Sequence, residues 1–202
     1  MLFRSRVETQ QRSTAPFLAL IPAQLFFGSL PVIGKVVLAV IPPVGLVGIR
    51  TSITATILIV IQAFRRRLWL KRKGDYWRLA VLSLFGVVLN QLFFIGGLSL
   101  TTASNTSLLA VMIPIFALTV GAIAGFERLT WVKILGIVVA ASGVVILLDP
   151  RKASFSSQTT LGDFCIVINC LAYGIYVATS KSVILRNGTF RSMMWVFIFG
   201  SL

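Results

Sequence analysis

Six stretches of mainly apolar residues, each long enough to cross a bilayer as a helix, divide this chain, and short basic segments separate them. A span needs about 20 such residues at 1.5 Å rise each. The stretches run from Phe17 to Val40, Val44 to Phe64, Trp77 to Leu98, Ser104 to Phe126, Val132 to Leu148 and Gly162 to Val183. A seventh begins near Thr189 and reaches only Leu202, so the protein is expected to continue beyond this point. With 57% of 202 residues hydrophobic, 12% charged and a mean hydropathy of +0.95, no soluble core could hide so much apolar surface. The expected fold is therefore all-α, a polytopic transmembrane helix bundle of about six full spans plus the start of a seventh. A cleaved signal peptide is the competing reading of the first stretch, which follows Arg4, Arg6 and Arg12. Its length, the presence of Pro31 and Lys35 within it, and the lack of a small-x-small cleavage site before a soluble domain favour a retained span.

Nineteen Lys and Arg residues against five acids give a formal charge of +14. A nucleic-acid partner is not expected, because a DNA-binding domain carries its charge on a solvated face, whereas these bases lie between apolar runs. Cytoplasmic loops of membrane proteins collect Lys and Arg because such residues resist translocation. With the N-terminus inside, fifteen of the nineteen bases fall on cytoplasmic segments. Only Arg151 and Lys152 fall outside, and Lys35 and Arg50 lie within spans. The expected location is the bacterial inner, or plasma, membrane with a cytoplasmic N-terminus. The basic run from Arg65 to Arg78 serves this topology, with contacts to anionic membrane lipid.

Sliding the chain against itself by 146 positions pairs Phe27-Gly28 with Tyr173-Gly174, Lys35 with Lys181, Val37 with Val183 and Leu38 with Ile184. Five spans separate the two copies, and an odd number reverses the second, as in the inverted repeats of secondary transporters. The segment Leu98-Ser99-Leu100-Thr101-Thr102-Ala103-Ser104 leads on to Pro114, to Glu127-Arg128-Leu129-Thr130, and then to Gly136 and Gly143. Together with Phe27-Gly28-Ser29, Lys35, Arg50, Gly162-Asp163 and Tyr173-Gly174-Ile175-Tyr176, this series resembles the EamA-type branch of the drug/metabolite transporter superfamily. The resemblance covers essentially the whole chain. It implies ten spans in two inverted five-helix repeats, of which about three and a half would be absent here. It divides the chain into a cytoplasmic tail (1–16), a first five-helix repeat (17–148), an extracytoplasmic loop (149–161) and the start of a second repeat (162–202).

Charges within a bilayer cost several kcal/mol and tend to face a wet interior. Lys35 lies seven residues before the Pro42-Pro43 turn and Arg50 seven residues after it, so an antiparallel hairpin would hold both at one depth. There they could form a cationic patch for a carboxylate or phosphate. Alternatively, each snorkels outward or bonds a carbonyl of a neighbouring helix. Asn90, Gln91 and Gln24 need partners in lipid, whether another helix, water or a solute. Asn169, Tyr173 and Tyr176 recur at i, i+4 and i+7, giving one helical face with an amide and two hydroxyls that suits a cavity wall, with an interfacial aromatic belt as the alternative for Tyr176. Pro114 removes a backbone donor and should expose a carbonyl near mid-membrane, where a solute could bind or the helix could simply kink. The candidate solute-binding set is thus Lys35, Arg50, Asn90, Gln91, Pro114, Asn169, Tyr173 and Tyr176. Gly121 with Gly125, and Gly136 with Gly143, read as close-packing glycines.

Several chemistries find little support. There is no histidine, the commonest general base and metal ligand, so neither a metal nor another cofactor is expected. Cys165 and Cys170 are five positions apart in one apolar stretch, face different directions on a helix and read as packing residues. Glu127 and Arg128 fall at an inner helix end, Asp163 reads as an electrostatic aid to the start of the sixth helix, and no acid lies deep in a span. Neither a Ser-His-Asp set, an HExxH motif nor a phosphate loop is present, which disfavours an enzyme acting on a lipid-linked substrate. The resemblance implies instead transport of a small metabolite, amino acid or drug-like solute by alternating access, with export favoured. An accessory membrane protein and a homo-oligomer remain compatible with the sequence.

Overall fold

A computed structural model describes residues 15–126, 129–148 and 157–202, which form helices and turns with no strand among them. The first helix, α1, is Ala15–Leu38, and α2 is Pro43–Phe64. Pro43 opens α2 at a position where the missing N–H costs nothing, because the first helical N–H groups have no partner anyway. At its other end Arg66 adopts φ +50°, while the Arg66 and Arg67 amides donate to Ala63 and Gln62 at 2.9 and 3.0 Å. This left-handed cap satisfies carbonyls that the end of a helix would otherwise leave without partners.

Helices α3 (Lys73–Ser83) and α4 (Asn90–Leu100) are joined without a break by a six-residue π-helical segment, Leu84–Leu89. The expected fourth span is divided into α5 (Ala103–Leu109) and α6 (Met112–Ile123). The division falls at Ala110 and Val111, where the ring of Pro114 would clash with the Ala110 carbonyl of a continuous helix. That carbonyl is not left exposed as the sequence suggested: it accepts the Ile113 amide at 3.1 Å in a tighter turn. Helix α6 closes on Gly125 at φ +71°, with the amides of Gly125 and Phe126 bonded to Ala122 and Gly121. Gly125 is therefore a helix terminator rather than half of a packing pair. Helix α7 is Trp131–Leu148, α8 is Ser157–Asn187, and α9 is Thr189–Ser201, entered through Gly188 at φ +86°. Because α8 begins before Gly162, Asp163 sits within the helix and not at its start.

Four helical stretches among the described residues have the length and apolar character to cross a membrane: Pro43–Phe64, Lys73–Leu100, Ala103–Ile123 and Thr159–Asn187. Within α1 and α7, Gly28–Leu38 and Trp131–Gly143 are shorter apolar segments. Large apolar side chains such as Ile53, Ile57, Val60 and Ile61 on α2 point outward, as a lipid-facing surface requires. The assembly is a polytopic helix bundle in an integral membrane protein.

Helix α8 is the axle of this bundle. It packs against α4, the π segment and α6, while α9 packs on α2 and α3, and α1 on α4 and α5. Glycines permit the closest approaches. A Cβ on Gly174 would meet Phe116 Cβ at 2.8 Å and the Ala117 nitrogen at 2.9 Å, and one on Gly97 would meet the Gly162 carbonyl oxygen at 2.8 Å. Gly136 and Gly143, in contrast, have no described atom within 4 Å of such a Cβ. In lipid, where apolar burial between helices gains little, backbone proximity of this kind supplies dispersion contact.

Candidate functional site

A cavity of about 560 Å³ lies between α1, α2, the π segment, α4, α5, the start of α6, α8 and α9. Most of its wall is apolar, from residues such as Phe94, Ile113, Ile166 and Phe197. Its polar groups are Arg50, Asn90, Gln91, Thr106, Ser107 and Asn169, with Tyr173 and Tyr176. The two tyrosine rings stack at 5.9 Å between centroids, with planes 27° apart. A mostly apolar cavity of this size with a few convergent polar groups is the usual form of a small-molecule site.

The local sequence explains the placement. One face of α8 carries Asn169, Tyr173 and Tyr176 at one-turn intervals, and all three reach the cavity. On the opposite wall Asn90 Nδ2 donates to Asn169 Oδ1 at 2.7 Å, which ties the two amides together across 79 residues. Gly86, in the π segment, makes room for the Tyr176 ring: a Cβ there would stand 2.5 Å from Tyr176 Cδ2. The wider turn of a π segment shifts the register of the side chains that follow it. The break between α5 and α6 puts Ala110 at the wall, although Pro114 itself is exposed and does not line the cavity.

Six of the eight candidate residues thus surround one cavity, and Lys35 and Pro114 do not. The expected Lys35–Arg50 patch does not form. Lys35 Nζ donates to the Ser99 carbonyl at 3.3 Å, near the end of α4, whereas Arg50 faces the cavity. Equal sequence distance from a turn fixes equal depth only for helices that lie side by side, and α1 rests on α4 and α5 while α2 rests on α9 and α4. The side chain of Gln24, together with Glu127, Arg128 and Asp149, lies outside the described residues.

Polar clusters bound the cavity along α8. Toward the N-terminal end, Asp163 accepts from Thr101 Oγ1 at 2.5 Å and from Asn105 Nδ2 at 3.0 and 3.2 Å. Toward the C-terminal end, buried Asp75 accepts from Arg186 Nε at 3.0 Å and Nη2 at 2.5 Å, and from Asn187 Nδ2 at 2.7 Å. The basic loop between α2 and α3 is fastened to this second cluster. Asn187 Oδ1 accepts the Lys71 amide at 2.9 Å, Arg191 donates to the Arg67 carbonyl, and Trp195 Nε1 donates to the Leu68 carbonyl at 2.9 Å. At 1.5 Å per residue the two clusters stand about 35 Å apart along α8.

These clusters were not foreseen as units. Asp75 lies inside a run of seven bases that reads as topology alone, and Thr101 and Asn105 lie more than fifty residues before Asp163 with no shared local pattern. Asn187, in the sequence Asn187-Gly188-Thr189, is buried with its amide committed. Among the described residues, no group of three or more His, Cys, Asp or Glu side chains could hold a metal ion.

Comparison with known proteins gives a consistent answer. The family model described as the EamA-like transporter family matches residues 14–149. An uncharacterized transporter of Archaeoglobus fulgidus is 26% identical over 160 residues, covering 79% of this chain and 55% of its own length. One from Methanothermobacter thermautotrophicus is 28% identical over 198 residues, covering 91% and 56%, and one from Bacillus subtilis is 25% identical over 168 residues, covering 81% and 56%. The chain spans about half the length of the curated relatives it matches. No solved structure matches it significantly. By its sequence and its helical, membrane-spanning architecture, the chain belongs to the EamA-like transporter family.

Proposed function

We propose that this protein carries a small solute across a bacterial inner, or plasma, membrane by alternating access, using the cavity between α2, α4 and α8. The cavity itself is the observation that carries this reading. It holds an arginine, amides and hydroxyls in a segment where each polar group without a partner costs several kcal/mol, and water or a passing solute supplies such partners. The position of this cavity between two polar clusters on α8 supports alternation, since breaking one cluster while keeping the other would open one side at a time. Six spans with a seventh begun, a first repeat over 17–148 and an inverted second repeat beginning at 162 complete the proposal. Export as the direction follows from family analogy. The transporter names of the relatives support a role other than catalysis.

The proposal predicts saturable counterflow when the full protein is reconstituted with a candidate solute on both sides. Filling the cavity by Ala110→Trp should abolish counterflow with folding preserved. Counterflow that is unchanged by the filled cavity would exclude this route. The proposed orientation is tested separately by single cysteines in a Cys165→Ser, Cys170→Ser background. Ser157→Cys should react with an impermeant thiol reagent from outside intact cells, and Gly74→Cys should not. The reverse pattern would invert the topology.

A further inference from the structure

We propose that the cavity selects an organic anion with an apolar or aromatic body, bound through its carboxylate to Arg50; this rests on the cavity being the solute site. Arg50 lies within the membrane-spanning stretch Pro43–Phe64 and faces the cavity. Among the described residues its guanidinium forms no ion pair and donates to no acceptor; only its backbone carbonyl is used, by Thr54 Oγ1 at 2.7 Å. No carboxylate belongs to the described lining. The described acids nearest along the chain are committed elsewhere, Asp163 to Thr101 and Asn105 and Asp75 to Arg186 and Asn187.

An unpaired guanidinium in a low-dielectric wall is costly, and a bound anion removes that cost by a bidentate, charge-assisted contact. A cationic solute would meet repulsion from the same group with no counter-charge to offset it. A zwitterion would gain at its carboxylate but leave its ammonium with neutral acceptors only. The rest of the wall fits an apolar body: the stacked Tyr173–Tyr176 pair offers a flat face, and Phe94, Ile113 and Phe197 surround the remaining space. The amides carry no charge to compete with the guanidinium, and Asn90 and Asn169 already share one hydrogen bond.

Three probes of one skeleton separate the charge states: 3-phenylpropionate, phenylalanine and 2-phenylethylamine, each titrated at pH 7 against the full protein in detergent by calorimetry. The expected order of affinity is propionate first, phenylalanine second and amine last. Arg50→Gln should weaken 3-phenylpropionate about tenfold or more, the scale of a lost charged hydrogen-bonded contact, while leaving the amine unaffected or improved. Arg50→Lys should recover part of the loss, since it restores charge without the fork. Equal affinity for all three probes, tightest binding of the amine, no binding of the propionate, or an anion affinity indifferent to Arg50→Gln would each overturn the proposal. If Arg50→Gln fails to fold, the wild-type order still decides. Occupation of Arg50 by a lipid phosphate is distinguished by adding phosphatidylglycerol to the micelles: competition that eliminates propionate binding would assign the site to lipid and overturn the proposal. Charge-selective binding without counterflow would sink the transport reading alone, and counterflow of solutes without charge preference would sink only this one.

Discussion

Replacing Gly162 with alanine is expected to lower the folded yield and the thermal midpoint sharply, whereas Gly96→Ala is expected to leave both unchanged or slightly improved. A Cβ at position 162 would stand 2.7 Å from the Thr101 nitrogen and 2.9 Å from the Gly97 carbonyl oxygen, and both atoms are backbone. Neither can rotate away, so α4 and α8 must separate. Overpacking of this kind costs about 1–3 kcal/mol, and here it also pulls Asp163 from Thr101. At position 96 nothing lies within 4 Å, so the same added methyl brings only the helix-propensity gain of alanine over glycine, about 1 kcal/mol. The comparison separates packing from propensity because both variants make the same chemical change in the same bundle. Equal midpoints for the two variants, measured in one detergent, would show that the α4–α8 crossing is not the tight contact described.

That crossing also shows what the sequence concealed. Gly97 and Gly162 carry no local signal that they meet, because a close approach between distant segments is a property of the assembled bundle. Gly121 with Gly125 and Gly136 with Gly143 have the spacing expected for packing, yet Gly125 terminates α6 and nothing described approaches positions 136 and 143. Spacing reports which residues share a face, and leaves open what that face touches. Helical periodicity was more informative for Asn169, Tyr173 and Tyr176, whose common face does line the cavity, since α8 is regular there and its interval fixes direction. The Lys35–Arg50 expectation failed for the complementary reason: it needed α1 and α2 to be neighbours, a fact of tertiary packing.

Four of the expected stretches were legible as helices of membrane-spanning length because hydropathy acts over about 20 residues and averages away local detail. The details it averages away are those that shape the site. The π segment Leu84–Leu89 has no Pro or polar marker, and Gly86 is the one residue in it that hints at a neighbour's approach. The break at Ala110 and Val111 was visible through Pro114, but its effect falls four residues earlier, at a position with no signal of its own. Charge patterning, read as topology, placed Arg186 and the run around Asp75 on one side of the membrane and said nothing of their pairing. An acid among seven bases looks like a neutralising accident until α8 and α3 are seen to meet.

The pairing at Asp75 leads to a second large effect. Arg186→Ala is expected to destabilise the folded protein more than Asp75→Ala, and the double variant is expected to be more stable than Arg186→Ala alone. Asp75 is only 2% exposed and accepts three donors, two of them from Arg186. Removing the arginine leaves a buried carboxylate with the Asn187 amide as its remaining side-chain donor, which is the costly way to break such a pair. Removing the aspartate is milder, because Arg186 is a quarter exposed and can turn to solvent, while Asn187 Nδ2 keeps the Val183 carbonyl at 3.1 Å. Removing both deletes the stranded charge, so the double variant recovers part of the loss. The loop between α2 and α3 should loosen in parallel, since Asn187 holds the Lys71 amide and Asp75 orients Asn187. Thermal unfolding of the four proteins gives the coupling directly, and protease cleavage at Arg66 and Arg67 reads the loop. Additive losses, or a double variant less stable than either single variant, would show that Asp75 and Arg186 act independently, and uncut loops in all four would separate the cluster from the loop it is described as holding.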